Sequence, residues 1–294
     1  VYKYADVLRA AIAHAGNDHR LGANEAPPAI ISVFIGEAMS KLLDEVVKGK
    51  NSDGKEVKRA LDLISKLPNL ELDNTDRNRT SPFAFTGNKF EIRAVGSSQN
   101  CAGPMAVMNA MMGLQLTEFK IEINKLTAKG IAAEEAILTV LKGLIRKSKP
   151  ILFEGNNYSD EWKAEAKERG LNNFANTPDA LDVLSSRLGQ DFYSKSGVMS
   201  RVELDAYHAV QLHTYCTKLN IEAKVLKETI KSMVMPAVLR YQTELASNIA
   251  ALKAIGLDDA ISYQKDTLKA VIKAIAAIEE GLEKMEKGLE KAHH

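Results

Sequence analysis

The spacing of apolar residues predicts helices through the second half of the chain. In residues 268–289, apolar positions recur at alternating steps of three and four, with Glu and Lys between them, which is typical of a helix that buries one stripe. Residues 221–255 have a similar periodicity and contain Pro236, which we expect to kink the helix. We expect these two helices to pack antiparallel. Shorter helices are predicted at residues 101–129, 132–147, 178–187 and 200–219, and from Ser159 onward.

The first half of the chain mixes helical and strand patterns. Residues 83–85 and 89–93 are aromatic and β-branched runs, and Gly87 between them supplies the backbone freedom that a tight reversal needs. These residues therefore predict a β-hairpin. Apolar periodicity also predicts a helix in residues 4–15, a buried strand in residues 29–36 and a helix in residues 37–47.

Composition divides the chain into two regions. Residues 48–76 are polar, and we interpret them as a surface insertion around a short helix at residues 57–67. We expect a domain boundary near residue 150, before a polar turn. The fold class is therefore predicted to be α+β, with a partial antiparallel sheet in residues 1–150 and a mainly helical domain with long antiparallel helices in residues 151–294.

Charge and cysteine content exclude several classes of protein. The chain of 294 residues has 39 basic and 38 acidic residues, a net charge of +1, whereas nucleic-acid-binding proteins usually carry a basic excess. No apolar run approaches the roughly 20 residues of a membrane span. Cys101 and Cys216 lie far apart in apolar contexts, which favours buried, reduced thiols. We therefore expect a cytoplasmic protein that binds neither nucleic acid nor membrane.

The predicted hairpin concentrates charged residues. Because side chains alternate along a strand, Lys89, Glu91 and Arg93 are expected on one face, with Phe90 and Ile92 on a core-facing side. Three charges in five residues are compatible with a solvated sheet face. Two arginines at positions 77 and 79 add further cations before the hairpin. The cluster also suits a polyanion such as a nucleoside triphosphate, with Glu91 available to a divalent metal.

Two sequence blocks resemble the glutamine synthetase family. Residues 17–28, NDHRLGANEAPP, are similar to its glutamate-binding and flap segment, while residues 78–80 and 89–93 resemble the second half of its catalytic domain, especially in the type III enzymes. The resemblance implies ATP-dependent amidation of glutamate with ammonia, through γ-glutamyl phosphate and with Mg or Mn. It also implies a homo-oligomer for the complete protein.

The resemblance assigns roles by motif position. The catalytic residues would be Glu25 of the flap, which closes over the site and helps to form the ammonium pocket, and Arg79 at the transferring phosphate. Substrate glutamate would contact Arg20 and Arg93, nucleotide phosphates would contact Arg79 and Lys89, and Glu91 would ligate metal. The chain departs from the type I pattern at two positions. Ala84 stands where a phosphate-side arginine would lie, and Lys89 replaces a guanidinium with a point charge; both departures fit a type III pattern.

The remaining family machinery is not found in the sequence. Glutamine synthetases carry most metal-binding carboxylates upstream of these motifs, so the 294 residues alone are expected to be inactive. The alternative interpretation is a noncatalytic helical scaffold or oligomerisation module, in which the hairpin cations brace the sheet. The long apolar stripe of residues 268–289 favours it.

Overall fold

The structure is a computed structural model that describes residues 1–18, 21, 28–49, 80–96 and 99–291. The sheet and most of the predicted helices lie in these ranges. The predicted insertion helix, and the candidate site residues Arg20, Glu25 and Arg79, lie outside the described residues.

The described sheet has three short strands in the order β1–β2–β3. The strands are β1 (Val33–Phe34), β2 (Phe83–Phe85) and β3 (Phe90–Ile92). β2 and β3 form the predicted antiparallel hairpin, while β1 pairs with β2 in parallel, so the sheet is mixed. In the turn, the amide of Thr86 donates to the carbonyl of Lys89 at 2.8 Å, and Gly87 has φ +99°, which an L side chain rarely adopts. The α+β class and the hairpin are confirmed.

The predicted first helix is interrupted. A 3₁₀ turn (Tyr2–Tyr4) leads into α1 (Ala5–Ala11), and α2 (Ala15–Asp18) follows separately. In a continuous helix the amide of Gly16 would donate to the carbonyl of Ile12. It donates to Nδ1 of His14 instead, at 3.1 Å, and the Ile12 carbonyl accepts from the side chain of Asn17 at 2.7 Å. Asn17 is a buried residue of α2.

Most of the other predicted helices are observed in the described residues. Ser159 caps its helix through a hydrogen bond from the amide of Trp162 to its hydroxyl at 3.2 Å, as expected for a serine at this position. The helices are α3 (Glu37–Lys48), α4 (Ala102–Thr127), α5 (Ala133–Ser148), α6 (Asp160–Glu168), α7 (Thr177–Ser185), α8 (Arg187–Ser196), α9 (Arg201–Thr229), α10 (Met235–Ala254) and α11 (Ser262–Lys291), with 3₁₀ turns at Lys149–Ile151 and Asp258–Ile261.

Residues 1–215 form one compact unit around a single core. Trp162 is 1% exposed and its ring stacks on Phe153, with centroids 3.6 Å apart. The same cluster contains residues from both sides of position 150, among them Val7, Leu8, Ile12, Ile30, Leu181, Leu184 and Phe192. The contacts divide the chain between residues 215 and 216. The predicted domain boundary near residue 150 stays a prediction.

Residues 216–294 form the second compact unit. Here α10 packs against α11, and Lys227 and Lys231, which precede α10, both pair with Glu286 near the end of α11. The two helices are therefore antiparallel, as predicted. A π-helix (Ile230–Val234) ends just before Pro236. Because a proline lacks an amide hydrogen and clashes with the preceding turn, the local widening accommodates it.

Two sequence-based expectations concern side-chain exposure and membrane segments. Cys101 and Cys216 are both exposed, so the expectation of buried thiols was wrong. Cys101 directly precedes α4, and Cys216 lies within α9. Within the described ranges, the helices are too short or too polar to cross a bilayer.

We predict that Asn17→Ala destabilises the chain by about 2–4 kcal/mol. The substitution leaves the buried carbonyls of Ile12 and Ala94 without their donor, and each such loss costs about 1–3 kcal/mol. Urea unfolding followed by circular dichroism measures the effect, with Asn124→Ala on an exposed position of α4 as the control. Equal stability of the two variants would contradict the structural role of Asn17.

Candidate active site

The hairpin has an aromatic face and a charged face. Directly opposed residues of antiparallel strands share a face, and Phe83 opposes Ile92 while Phe85 opposes Phe90. The Phe90 ring lies 5.3 Å from that of Phe83 and 5.2 Å from that of Phe85. Phe90 is nevertheless 51% exposed. The expectation that its face is core was therefore wrong for Phe90, although the other three residues pack against the core.

The charged face brings together Lys89, Glu91 and Arg93, as the alternation predicts. Nη2 of Arg93 lies 2.8 Å from Oε2 of Glu91, and Nζ of Lys89 lies 3.7 Å from Oε1. Exposure falls along this row, because the side chains of Lys89, Glu91 and Arg93 are 68%, 33% and 22% exposed. Ala84, which opposes Glu91, is completely buried. Arg93 is therefore the most enclosed cation of the row.

The backbone around Arg93 is fixed on both sides. Its amide donates to the carbonyl of Pro82 at 2.7 Å. The next carbonyl, that of Ala94, accepts from Nδ2 of Asn17 at 2.9 Å. A Cβ added at Gly96 would lie 3.2 Å from the side-chain oxygen of Asn17, so the backbone at Gly96 passes close to the Asn17 side chain. These contacts connect the end of α1 to the exit of β3 and hold Arg93 in place.

A cavity of about 170 Å³ lies beside Arg93. Leu21, which follows Arg20 in the sequence, and Pro28, three residues after Glu25, both contribute to its wall. Arg9 and Asn157 also line it, and both are buried. The wall of the cavity therefore combines residues next to β3 with two residues of the motif identified from the sequence.

Sequence reasoning missed Arg9, Asn17 and Asn157. A signal existed for Arg9, which lies four residues after Ala5 and three before Ile12 and therefore falls on the apolar face of its helix. The structure confirms that this arginine is buried. No comparable periodicity distinguishes Asn17 or Asn157, because each lies at the junction of elements that only tertiary contacts bring together.

The described residues offer a limited ligand set for a metal. Carboxylate oxygen is the ligand type that Mg²⁺ prefers, and Mg²⁺ sites commonly use one or two carboxylates together with substrate phosphates. Glu91 fits as one such ligand. However, no group of three or more His, Cys, Asp or Glu side chains suited to a metal occurs within the described ranges. His208 and Asp182 approach to 3.6 Å without forming such a group.

Comparisons with known proteins agree with the hairpin motif. Residues 136–253 match the family model of the glutamine synthetase C-terminal domain. The chain is 44% identical to a glutamine synthetase of Bacteroides fragilis over 94% of its length, 38% identical to a type-3 glutamine synthetase of Dictyostelium discoideum over 85%, and 34% identical to a glutamine synthetase of Butyrivibrio fibrisolvens over 99%.

These matches cover nearly all of this chain but only part of each relative. The chain spans 38%, 34% and 41% of the lengths of the three relatives, in the order given. The similarity includes both the hairpin-bearing half and the helical half. The chain belongs to the glutamine synthetase family, with resemblance to its type III members.

Proposed function

We propose that this chain supplies one wall of the active site of a glutamate–ammonia ligase. The reaction is the ATP-dependent amidation of glutamate through γ-glutamyl phosphate. The observation that carries the proposal is the row of Lys89, Glu91 and Arg93 on one face of the hairpin, beside a cavity that is also lined by the buried Arg9. The family relationship supplies the reaction, and the row supplies charges suited to its substrates.

The chemistry requires cations around several negative oxygens. Attack of the γ-carboxylate of glutamate on ATP brings carboxylate and phosphate charges together, and fixed positive groups lower the free energy of that arrangement. In this proposal Arg93 faces substrate glutamate and Lys89 faces nucleotide phosphate. Lys89 is exposed and flexible enough to follow a phosphate, whereas Arg93 is held by its backbone contacts.

Three further roles rest on motif position alone. Arg20 would bind a glutamate carboxylate, Arg79 the transferring phosphate, and Glu25 would belong to the flap that closes over ammonia. They lie outside the described residues, so the support for these roles is the sequence resemblance.

Glu91 is proposed as one ligand of Mg²⁺ or Mn²⁺. The metal, when bound, would neutralise phosphate charge and polarise the phosphoryl group. Without it, Glu91 is held between Lys89 and Arg93, which keeps the carboxylate oriented on the hairpin face.

We place the complete protein in the cytoplasm as a homo-oligomer, with glutamate, ammonia and ATP as its small-molecule partners, and with neither nucleic acid nor membrane among them. The nearly balanced charge supports the exclusion of nucleic acid.

A structural role is the competing function for the same charges. The ion pairs of Glu91 with Lys89 and Arg93 satisfy one another within the hairpin, which is what a brace in a noncatalytic scaffold would require. The two functions predict different contributions of these ion pairs to the free energy of unfolding: a large one if they brace the hairpin, and a small one if they serve ligand binding.

We predict glutamine formation by a chimera in which this chain replaces the matched region of the Bacteroides fragilis relative. Glu91→Ala should lower its kcat by at least about 10-fold, because even changes to the residues around a metal's ligands cost about 10- to 100-fold. Glu165→Ala, which removes an arginine-paired carboxylate on α6, is the matched control and should keep full activity. The 294-residue chain alone should form no glutamine. A wild-type chimera that folds without activity would contradict the proposal.

We also predict that Glu91→Gln changes the free energy of unfolding by less than about 1 kcal/mol. Partly exposed ion pairs contribute this little, since solvent screens them. Urea denaturation measures the change, with Glu165→Gln as the control for a second partly exposed pair. A loss above about 2 kcal/mol confined to Glu91→Gln would favour the brace.

A further inference from the structure

The α1–α2 junction contacts the helical part of the chain through α7. α2 is a single turn of four residues, Ala15–Asp18. An isolated turn is unstable, because forming it fixes several backbone dihedrals for few hydrogen bonds. The position of α2 is therefore set by contacts with other elements, and α2 packs against α7.

The hydroxyl of Thr177, the first residue of α7, anchors the end of α2. It donates to Oδ1 of Asp18 at 2.6 Å, a distance typical of a hydroxyl bound to a carboxylate. Thr177 is 1% exposed, so little water competes for this hydrogen bond. A hydrogen bond to a charged acceptor is also stronger than one between neutral groups. The contact therefore restrains α2 relative to α7.

The segment that enters α7 is attached to α1 as well. The Nε and Nη2 atoms of Arg9 donate to the carbonyl of Phe174 at 3.1 and 2.8 Å. Burial lowers the pKa of Arg9 to about 10, whereas the charge of Asp18 acts in the opposite direction. Arg9 and Asp18 therefore interact, and the start of α7 is held by both α1 and α2.

α2 transmits this restraint to the exit of β3. Asn17, adjacent to Asp18 in the same turn, donates from Nδ2 to the carbonyl of Ala94 at 2.9 Å, and Arg93 directly precedes Ala94. The carbonyl of Asn17 accepts from the amide of Leu21 at 2.8 Å, and Leu21 lines the cavity. A shift of α2 would therefore disturb the backbone beside Arg93 and the cavity wall together.

We propose that Thr177 is a positioning residue for Arg93. It acts through the α2 turn and does not itself touch substrate. The role of Arg93 toward glutamate rests on the proposed function. The restraint on β3 rests on the hydrogen bonds alone and is independent of the ligand that Arg93 meets.

Hydrogen–deuterium exchange of the 294-residue chain tests the restraint without any ligand. Thr177→Val removes the hydroxyl and keeps the shape of the side chain, whereas Thr177→Ser keeps the hydroxyl. Thr177→Val should speed amide exchange in residues 90–96 by about 3- to 10-fold, the factor that corresponds to loss of one ordinary hydrogen bond. Thr177→Ser should stay within about 2-fold of the wild-type rate, because its hydroxyl can still donate.

Ser40→Ala is the matched control. Its hydroxyl also donates to a carboxylate at 2.6 Å, that of Glu154, and Ser40 lies on α3. This variant should leave exchange in residues 90–96 at the wild-type rate. Circular dichroism checks folding. If Thr177→Val does not fold, Asp18→Asn decides the question, because it replaces the charged acceptor with a neutral one and should also speed exchange there.

Kinetics of the chimera with the Bacteroides fragilis relative test the effect on substrate. Thr177→Val should raise the KM for glutamate by about 3- to 10-fold and leave the KM for ATP unchanged, and Thr177→Ser should keep both near wild type. A variant that only lowered the amount of folded enzyme would reduce the apparent kcat without changing either KM.

Three results would overturn the positioning role: unchanged exchange in Thr177→Val, an equal increase in Thr177→Val and Ser40→Ala, or an unchanged KM for glutamate in an active Thr177→Val chimera. An active chimera without the exchange effect would overturn only this inference. The exchange effect confined to Thr177→Val, together with an inactive wild-type chimera, would overturn only the proposed ligase and support the restraint on Arg93.

Discussion

The buried amide of Asn17 is the contact on which the arrangement of the candidate site depends. Its Nδ2 atom donates hydrogen bonds to the carbonyl of Ile12, directly after α1, and to the carbonyl of Ala94, directly after Arg93. One side chain therefore fixes the direction of the α1–α2 junction and the path of the chain leaving β3. Because a backbone carbonyl buried without a donor is costly, the two segments cannot separate without penalty. The position of Arg93 follows from this constraint.

Further polar contacts attach the helical part of residues 1–215 to the same framework. The guanidinium of Arg9 in α1 donates a hydrogen bond to the carbonyl of Phe174, and the hydroxyl of Thr177 donates to Asp18 of α2 at 2.6 Å. The wall of the cavity includes Asn157 and Tyr158 as well as residues next to the sheet. The partly exposed ion pairs of the hairpin are expected to contribute little to stability by comparison.

Local patterns in the sequence were sufficient for much of the fold. The aromatic runs with Gly87 predicted the hairpin, and the alternation of its residues predicted that Lys89, Glu91 and Arg93 share a face. The apolar stripe along residues 268–289 of α11 predicted that this helix pairs with α10. The break at Ile12 was not predictable, because it depends on a hydrogen bond to Asn17 that also requires Ala94, 77 residues away. The cavity escaped prediction for the same reason, since no local pattern relates Arg9 to Asn157.

The most direct measurement for the central claim is Mn²⁺ affinity of the chimera, determined by electron paramagnetic resonance of free Mn²⁺. If β3 forms a wall of a metal-dependent ligase site, Glu91→Ala should raise the Kd for Mn²⁺ by about 10-fold or more, while Glu165→Ala leaves it unchanged. Equal Mn²⁺ affinity in the wild-type chimera and the Glu91→Ala variant would contradict the assignment of Glu91 and favour a scaffold role for the hairpin.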